Sequence, residues 1–570
     1  MASATSSSKP LTTVAVTPTR STRELAKTPL WQTLPEFLPY EDRVKLSYER
    51  ANSVVQHYRL TAEDVLKHIG TLLSIHYNLC LGTIVKYLDD RPDLKPIVDR
   101  LLLFVCNGQY CLTELGHGLD VINMETRATL LPDGSFDLHT PHDRAAKFMP
   151  PTSPSGYPCI AVVHARLFVD GEDRGPKVFL TQLHNGRTVA PGVVVKVLAP
   201  RGSARPVKHC LTYFNHVWLP ASALLSSLEK PKAPREAFFD NIHRVITGTI
   251  SMGVSAVSGM RIATYVAAKY SLRRHVIDSS TRVARPIISF STQYTPIMSA
   301  IAQCLVLRAF SDRCINLFIN AQSPVQRHFI AAIVKTTTMK AVQAITIELG
   351  DRCGAQGLAE VNQISVLHVY ARGAAIAEGD VLAISIHFTI ELLRERVAVP
   401  PYLNPDSPLA KHERSLISSL QASPTHAFTH RDQSVEAMLL PRCQQLIETI
   451  GARVAFDSAT SANLQKDILE LFVASTIRQD AAWFALNEGL DTAAQIQMEV
   501  EAAKKLLPHI DTLLGMLEVE PYVVAPIVSD ARWNSYVNSL ETYGEPSFVT
   551  SINSEATDSS TVEVFTSSKL

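Results

Sequence analysis

The sequence has no net charge, no paired-cysteine motif and no long apolar run. Its 54 lysines and arginines balance 54 aspartates and glutamates. No overall field therefore draws the chain to nucleic acid or to an anionic membrane. The nine cysteines are odd in number and include no CxxC, which excludes a disulfide framework and points to buried or free thiols. No stretch of about 18 or more strongly apolar residues occurs. The nearest, Val245 to Met260, is uncharged but full of Gly, Ser and Thr, so it suits tight helix packing and no membrane span is expected. There is no Walker loop, no GxGxxG, no GxSxG and no repeat of fixed period. His426 and His430 lie four apart with Asp432 nearby. They sit in a Pro- and Ser-rich stretch without a third ligand, so no metal site is expected.

What is present is globular composition: 570 residues, 46% hydrophobic and 19% charged, enough for three or four domains. Pattern and turn residues give the order helices, strands, helices, helices. Helices are predicted over Glu41 to Tyr58, from a capping box at Thr61-Ala62-Glu63-Asp64 through Leu73, and over Leu94 to Leu103. Short strands are predicted on both sides of Pro132-Asp133-Gly134, and over Ile160 to Val169 before the turn Asp170-Gly171-Glu172-Asp173. Further strands are expected at Val178 to Leu183, Gly192 to Leu198 and Cys210 to Leu219. Long helices follow over Phe238 to Ser271, Ser289 to Asn320 and Val325 to Leu349, with Gly350 as the expected helix end. Asp380 to Arg396 reads as a helix stopped by Pro400-Pro401, and Leu403 to Gln433 as a linker. The last helices are predicted over Ser434 to Gly451, Asn463 to Gly489 and Ala493 to Leu517.

The fold class expected is α+β, mainly α. Residues 1–30 read as a disordered tail, 31–109 as a helical domain, 110–225 as a small β-barrel or sandwich, and 226–400 as a helical bundle. Residues 401–545 read as a second bundle and 546–570 as a flexible tail. Met1 to Lys27 is rich in Ser and Thr and holds one acid, Glu24, a composition shared by presequences and by plain tails. Ser568-Lys569-Leu570 matches the peroxisomal import signal, so a peroxisomal import receptor is an expected partner.

Several segments together resemble one family. Thr113-Glu114-Leu115-Gly116-His117-Gly118 is similar to the TE[LM]GHG segment of the acyl-CoA oxidases, and Glu125-Thr126-Arg127-Ala128-Thr129, beginning seven residues after Gly118, to their ETxAT strand. Tyr270-Ser271-Leu272-Arg273-Arg274 resembles their YSxxRR helix, and Pro286 to Gln293 their P-I-L-D-[FY]-QTQ segment. Cys353-Gly354-Ala355-Gln356-Gly357-Leu358 falls where the family has CGGHGY, and Ala377-Glu378-Gly379-Asp380 where it has its catalytic glutamate.

The resemblance covers about residues 30–540. It implies FAD as cofactor, an acyl-CoA thioester and molecular oxygen as substrates, and a homodimer. It makes Glu378 the base, and Thr113, Gly116, Gly118, Arg274, Gln293, Gly354 and Gly357 cofactor contacts, with Arg274 reaching the pyrophosphate across the dimer. Arg274 is preferred to Arg273 because the register is one residue short. Chemically, a Gly-rich loop admits backbone donors to a flavin edge, and a guanidinium fork suits a pyrophosphate. A glutamate just before a helix can turn its carboxylate to Cα and its N–H to the thioester carbonyl.

Departures from the family pattern point to a divergent member with a specialised acyl substrate. Lys147-Phe148-Met149-Pro150-Pro151 replaces KWWPGG, and Pro151 lacks the N–H that a glycine there offers to FAD. Trp218-Leu219-Pro220-Ala221 replaces RIPR. The rival readings are a dehydrogenase with another electron acceptor and a flavin-free acyl-binding relative.

Overall fold

The computed structural model describes residues 22–58, 74–200, 207–422 and 433–543. The capping box at Thr61, the pair His426 and His430 with Asp432, and Ser568-Lys569-Leu570 lie outside these residues. Thr22–Ala26 forms a short helix inside the stretch read as a tail, and Pro29–Gln32 a second one across its boundary at residue 30.

The amino-terminal helices are α1 (Tyr40–Tyr58) and α2 (Lys95–Leu102). Between them runs a π-helix, Ser74–Leu81, almost wholly buried. Nine strands here form two sheets, and a separate antiparallel pair, His275–Ile277 with Ala284–Pro286, lies further along the chain. In the larger, β1 (Asn107–Cys111) and β2 (Arg127–Leu130) both pair in parallel with the long β5 (Cys159–Val169). β3 (Phe136–His139) and β9 (Val217–Leu219) extend it beyond β2, and β6 (Glu172–His184) lies on β5's other edge. In the smaller, β8 (Cys210–Phe214) lies between β4 (Lys147–Phe148) and β7 (Val193–Val197). The β-branched run of β5 suits a central strand covered on both faces. Its alternate residues feed two cores. Ile160 and Val162 face the amino-terminal helices, whereas Ala161 and Val163 face the interior between the sheets.

The helical bundle is built on α3 (Arg244–Arg273), α4 (Ser291–Asn320) and α5 (Pro324–Arg352), followed by α6 (Ile364–Ile376) and α7 (Val381–Leu393). Small residues let the backbones close up, since a Cβ at Gly253 of α3 would lie 2.9 Å from Lys335 Cα of α5. Among the described helices, α3 alone is long and apolar enough to cross a membrane by length and composition; here it packs against α4, α5 and α6. α8 (Pro408–Gln421), α9 (Gln433–Ser461), α10 (Lys466–Ile477) and α11 (Thr492–Leu506) complete the chain's second bundle. All nine cysteines are free and buried, as their spacing suggests.

Some elements differ from the sequence expectation. The stretch read as a linker contains α8, opened by Ser407, whose hydroxyl accepts from the Ala410 N–H at 3.2 Å. A buried ionic knot explains the order there. Arg453 of α9 donates to Glu413 Oε2 at 2.6 Å, to Asp457 at 3.2 Å and to the Pro400 carbonyl at 2.9 Å. Gly350 does not end α5, which runs on to Arg352. A Cβ at Gly357 would collide with the Gly350 carbonyl, so Gly357 serves a close crossing of the chain on itself. The strand expected over Cys210 to Leu219 breaks at Asn215-His216, where His216 has φ +52°. α3 starts at Arg244 after a separate short helix, Pro234–Asn241, and the stretch Asn463 to Gly489 is two helices rather than one. α7 stops at Leu393, ahead of the prolines.

Candidate active site around Glu378

Glu378 lies between α6 and α7, in the left-handed region at φ +55°, with Gly379 behind it at φ +99°. A non-glycine residue there costs roughly 1–2 kcal/mol and persists only when its surroundings fix it. They do so through the carbonyls. Lys335 of α5, wholly buried, donates to the Ala377 carbonyl and, at 2.5 Å, to the Gly379 carbonyl. Thr249 of α3 donates to the Glu378 carbonyl at 2.6 Å. The Asp380 carboxylate caps α7 by accepting from the Ala383 N–H at 3.0 Å. The Glu378 N–H has no partner among the described residues.

The side chain is held as firmly. Ser74 Oγ donates to Oε1, and Asn78 Nδ2 to Oε2 at 3.3 Å. Both come from the π-helix, whose wide turn keeps residues four apart on one face. The carboxylate rests on bare backbone of α3, because a Cβ at Gly248 would coincide with Oε2. Asn78 also donates to the Arg244 carbonyl at 3.0 Å, and Arg244 Nε donates to the Asn78 carbonyl at 3.1 Å. Burial pushes the Glu378 carboxyl above its ordinary value, against the opposing pull of Ser74, Lys335, Asn78 and Arg244. It is thus a partly desolvated carboxylate with fixed geometry, suited to accept a proton.

Thr113 and Gly116, in the segment after β1, lie against β4 and the turn before it, and Pro151 follows β4 in the chain. The Phe148 N–H donates to the Thr113 carbonyl at 3.0 Å, and the Gly116 N–H to the Arg144 carbonyl at 2.8 Å. Glu114 ties the two sequence motifs into one unit. Its carboxylate accepts from the N–H groups of Glu125 (2.7 Å) and Thr126 (2.9 Å), from Thr126 Oγ1 (2.6 Å) and from Lys147 Nζ (3.0 Å). Glu114 and Lys147 side chains are both wholly buried. Burial works against the Glu114 charge, but Lys147 and the other donors outweigh it and hold the carboxyl below its ordinary value.

Arg274, Gln293, Gly354 and Gly357 form a second group. The Gln293 amide donates to Ser271 Oγ of α3 and to the Arg352 carbonyl of α5, both at 2.8 Å. Gly354 takes φ +57°, and Arg274 is exposed just after α3. Gly248 and Ser271 stand at opposite ends of α3, roughly 35 Å apart at ~1.5 Å rise per residue. The chain therefore does not bring this group to Glu378.

FAD would need donors at its ring edge and cations at its pyrophosphate. The Thr113 hydroxyl is half-buried without a partner among the described residues, and Gly118 is open. Arg274 offers an exposed cation. Residues 150–152 contribute little, since Pro151 has no N–H and the Thr152 N–H is taken by the Pro150 carbonyl at 3.0 Å. The Thr113 hydroxyl and the open Gly118 suit a flavin edge, and the segment at Pro151 does not add to them. Among the described residues no group of three His, Cys, Asp or Glu side chains is placed to hold a metal. Two surface cavities, about 450 and 480 Å³, lie elsewhere, at Leu392–Gln421 and between α4 and α9.

Sequence reading did not single out Ser74, Asn78, Gly248, Thr249 or Lys335. Ser74 and Asn78 carry no motif. Gly248 is one small residue among many in α3. Lys335 is an isolated cation in an apolar helix, and that is a signal, since a lysine is almost never buried without partners.

No family model matches the chain. Curated relatives include the acyl-coenzyme A oxidase acox-1.1 of Caenorhabditis elegans, 24% identical over 360 residues, which are 59% of this chain and 52% of that protein. An acyl-coenzyme A oxidase of Eremothecium gossypii is 31% identical over 230 residues, 37% of this chain and 31% of that protein. The matched region thus spans about half or less of these relatives. Among solved structures, acyl-CoA oxidase 1 of Yarrowia lipolytica superposes with a TM-score of 0.78 at 17% identity, covering 96% of this chain and 94% of that one. Acyl-CoA oxidase-1 of C. elegans, solved with FAD and ATP, gives 0.74 at 16% identity, covering 94% and 92%. The motifs at Thr113 and Glu378, the order of helices, sheets and bundle, and these likenesses converge: the chain has the fold of the acyl-CoA oxidases and is similar to them in sequence over part of its length.

Proposed function

We propose that the chain is an FAD-dependent acyl-CoA oxidase that introduces a 2,3-trans double bond into an acyl thioester. The observation that carries this is the Glu378 carboxylate, fixed over Gly248, with the residue's own N–H unpartnered among the described residues. Glu378 takes the α-proton. Its own N–H is placed to hold the thioester carbonyl oxygen where negative charge develops. Ser74 and Asn78 keep the carboxylate aimed, and burial keeps its proton affinity high enough for the transfer. FAD, when bound, supplies the acceptor for the β-hydrogen as hydride and passes the electrons to oxygen, giving hydrogen peroxide.

Thr113 and Gly118 are proposed to hold the flavin ring, with Gly116, whose N–H is taken by Arg144, letting the loop pack closely beside it, and Arg274, Gln293, Gly354 and Gly357 the far end of a cofactor bound by a second copy. The separation along α3 supports that division, as does exposed apolar surface beside the second group, including Leu358 at 80% exposure. The peroxisome is the proposed location, from Ser568-Lys569-Leu570 and from relatives named as peroxisomal, such as acyl-coenzyme A oxidase 1 of Arabidopsis thaliana.

The test is to mix the purified protein with an acyl-CoA panel in air and measure peroxide. Reduction of an artificial acceptor without peroxide would make it a dehydrogenase. The lack of free donors at residues 150–152 favours one rival, a flavin-free acyl-binding protein. An absorbance scan without flavin bands, and no FAD released on heating, would establish that rival.

A further inference from the structure

On the face of the larger sheet that packs against the amino-terminal helices, β1 and β5 lie side by side. Tyr110 of β1 is in register with Val162 of β5, so Tyr110 and His164 point to the same side. Their rings meet edge to face with centroids 4.9 Å apart. The rest of this wall is aliphatic: Leu112, Ile160, Val162 and Val178. β1 packs against the π-helix, whose Asn78 bonds the Glu378 carboxylate, so the wall borders the region that Glu378 serves. Burial, with the Glu378 charge, keeps the Tyr110 hydroxyl protonated.

Three polar groups, two on this sheet face and one on the π-helix packed against β1, are buried without hydrogen-bond partners among the described residues. They are both ring nitrogens of His164, the Tyr110 hydroxyl and Asn78 Oδ1. His164 is 0% exposed, Asn78 2% and Tyr110 8%. Burial, with the nearby Lys147 charge, lowers the His164 pKa to about 3, so the ring is neutral and offers one donor and one acceptor. Tyr110 offers both as well, and Asn78 Oδ1 accepts. Each such group left unpaired costs roughly 1–3 kcal/mol. A valine at position 164 would match its aliphatic neighbours without that cost. A saturated hydrocarbon chain lying on this wall would leave every one of these groups unsatisfied.

We infer that Tyr110, His164 and Asn78 form a polar wall of the acyl site, which selects acyl groups bearing a hydrogen-bonding oxygen substituent over plain alkyl chains of the same length. The inference rests on the reading of Glu378 as the base of an acyl-thioester site. A hydroxyl or ether oxygen beyond the reacting carbons would meet His164 and Tyr110 while Glu378 faces Cα. Sites built to hydrogen-bond a substituent discriminate strongly against analogues that lack it, because the buried protein groups then stay unpaired.

The experiment uses the full-length Glu378→Gln protein with its cofactor, which binds without turning over. Calorimetric titration compares octanoyl-CoA with hydroxyoctanoyl-CoA isomers bearing the hydroxyl at successive positions beyond the β-carbon. The expected result is that at least one isomer binds about 10-fold or more tightly than octanoyl-CoA, and that His164→Val in the same background collapses the ratio toward one. Tyr110→Phe, which removes a single oxygen, gives the same collapse if the His164 variant does not fold. Equal binding of octanoyl-CoA and every isomer, or a ratio unchanged in both variants, overturns the polar wall alone. Failure to bind any of these thioesters overturns the acyl-site reading together with it.

Discussion

Lys335 is fastened to the carbonyls on both sides of Glu378, those of Ala377 and Gly379, so one buried ammonium fixes the backbone that aims the carboxylate. Burial lowers the Lys335 pKa to about 8, with Glu378 and Asp380 opposing. Below that pH it is charged, and its charge pulls the Glu378 pKa down. Lys335→Met is expected to move the acid limb of kcat/KM to higher pH and to lower kcat roughly 10- to 100-fold, as expected for a mispositioned catalytic group. The pH profile is the measurement, because a merely structural role would leave the limb in place. Stability carries a second sign. A lysine depressed from 10.5 to about 8 binds its proton more weakly folded than unfolded, so stability rises with pH across that window. Denaturation of wild type and variant across the same window should show that slope only in the wild type.

Glu378→Gln is expected to fold normally, since a glutamine oxygen can still accept from Ser74, and to lose about 10²- to 10⁴-fold in kcat. In the wild type the base form appears as pH rises through a pKa held above the ordinary carboxylate value of 4.5. Activity therefore climbs with pH on the acid side, and that limb disappears in the variant. Unchanged bleaching of the bound flavin by substrate would assign the base to another residue.

Gly248→Ala separates seat from scaffold. Alanine raises helix propensity by up to roughly 1 kcal/mol, yet its Cβ takes the place of Glu378 Oε2. The expected outcome is a stable protein in thermal melts with activity reduced about 100-fold or more. Full activity in Gly248→Ala would show that the carboxylate works from a different position.

Glu114→Gln leaves the Lys147 ammonium buried without its counter-charge. Breaking such a pair costs about 3–5 kcal/mol, measurable by chemical denaturation. The Glu114 carboxyl is held below its ordinary value, so the stability it contributes is present above pH 4.5 and is lost as pH falls through its lowered pKa. The variant should show a flatter acid-side profile as well as a lower plateau.

Much of the fold was legible because its signals are local. The β-branched run of β5, the turn at Pro132-Asp133-Gly134 and the long apolar patterns of α4 and α5 each specify an element without help from elsewhere. α8 was missed although Ser407-Pro408 is a good helix start, because proline and serine around it suggested a linker. The knot of Arg453, Glu413 and Asp457 that holds it comes from residues up to 53 apart in sequence, as for the Arg453 bond to Pro400.

The sequence by itself determined the order of elements, the presence of the two motifs and the position of Glu378 ahead of a helix, because each depends on neighbours a few residues away. Tertiary structure alone decided what surrounds Glu378. Ser74 and Asn78 lie 304 and 300 residues from it in the chain, and Lys335 reaches it from another helix. The left-handed backbone at Glu378 and the bare seat at Gly248 follow from those distant contacts. No local pattern encodes them, since only the packed chain can pay the strain of that backbone and desolvate that carboxylate.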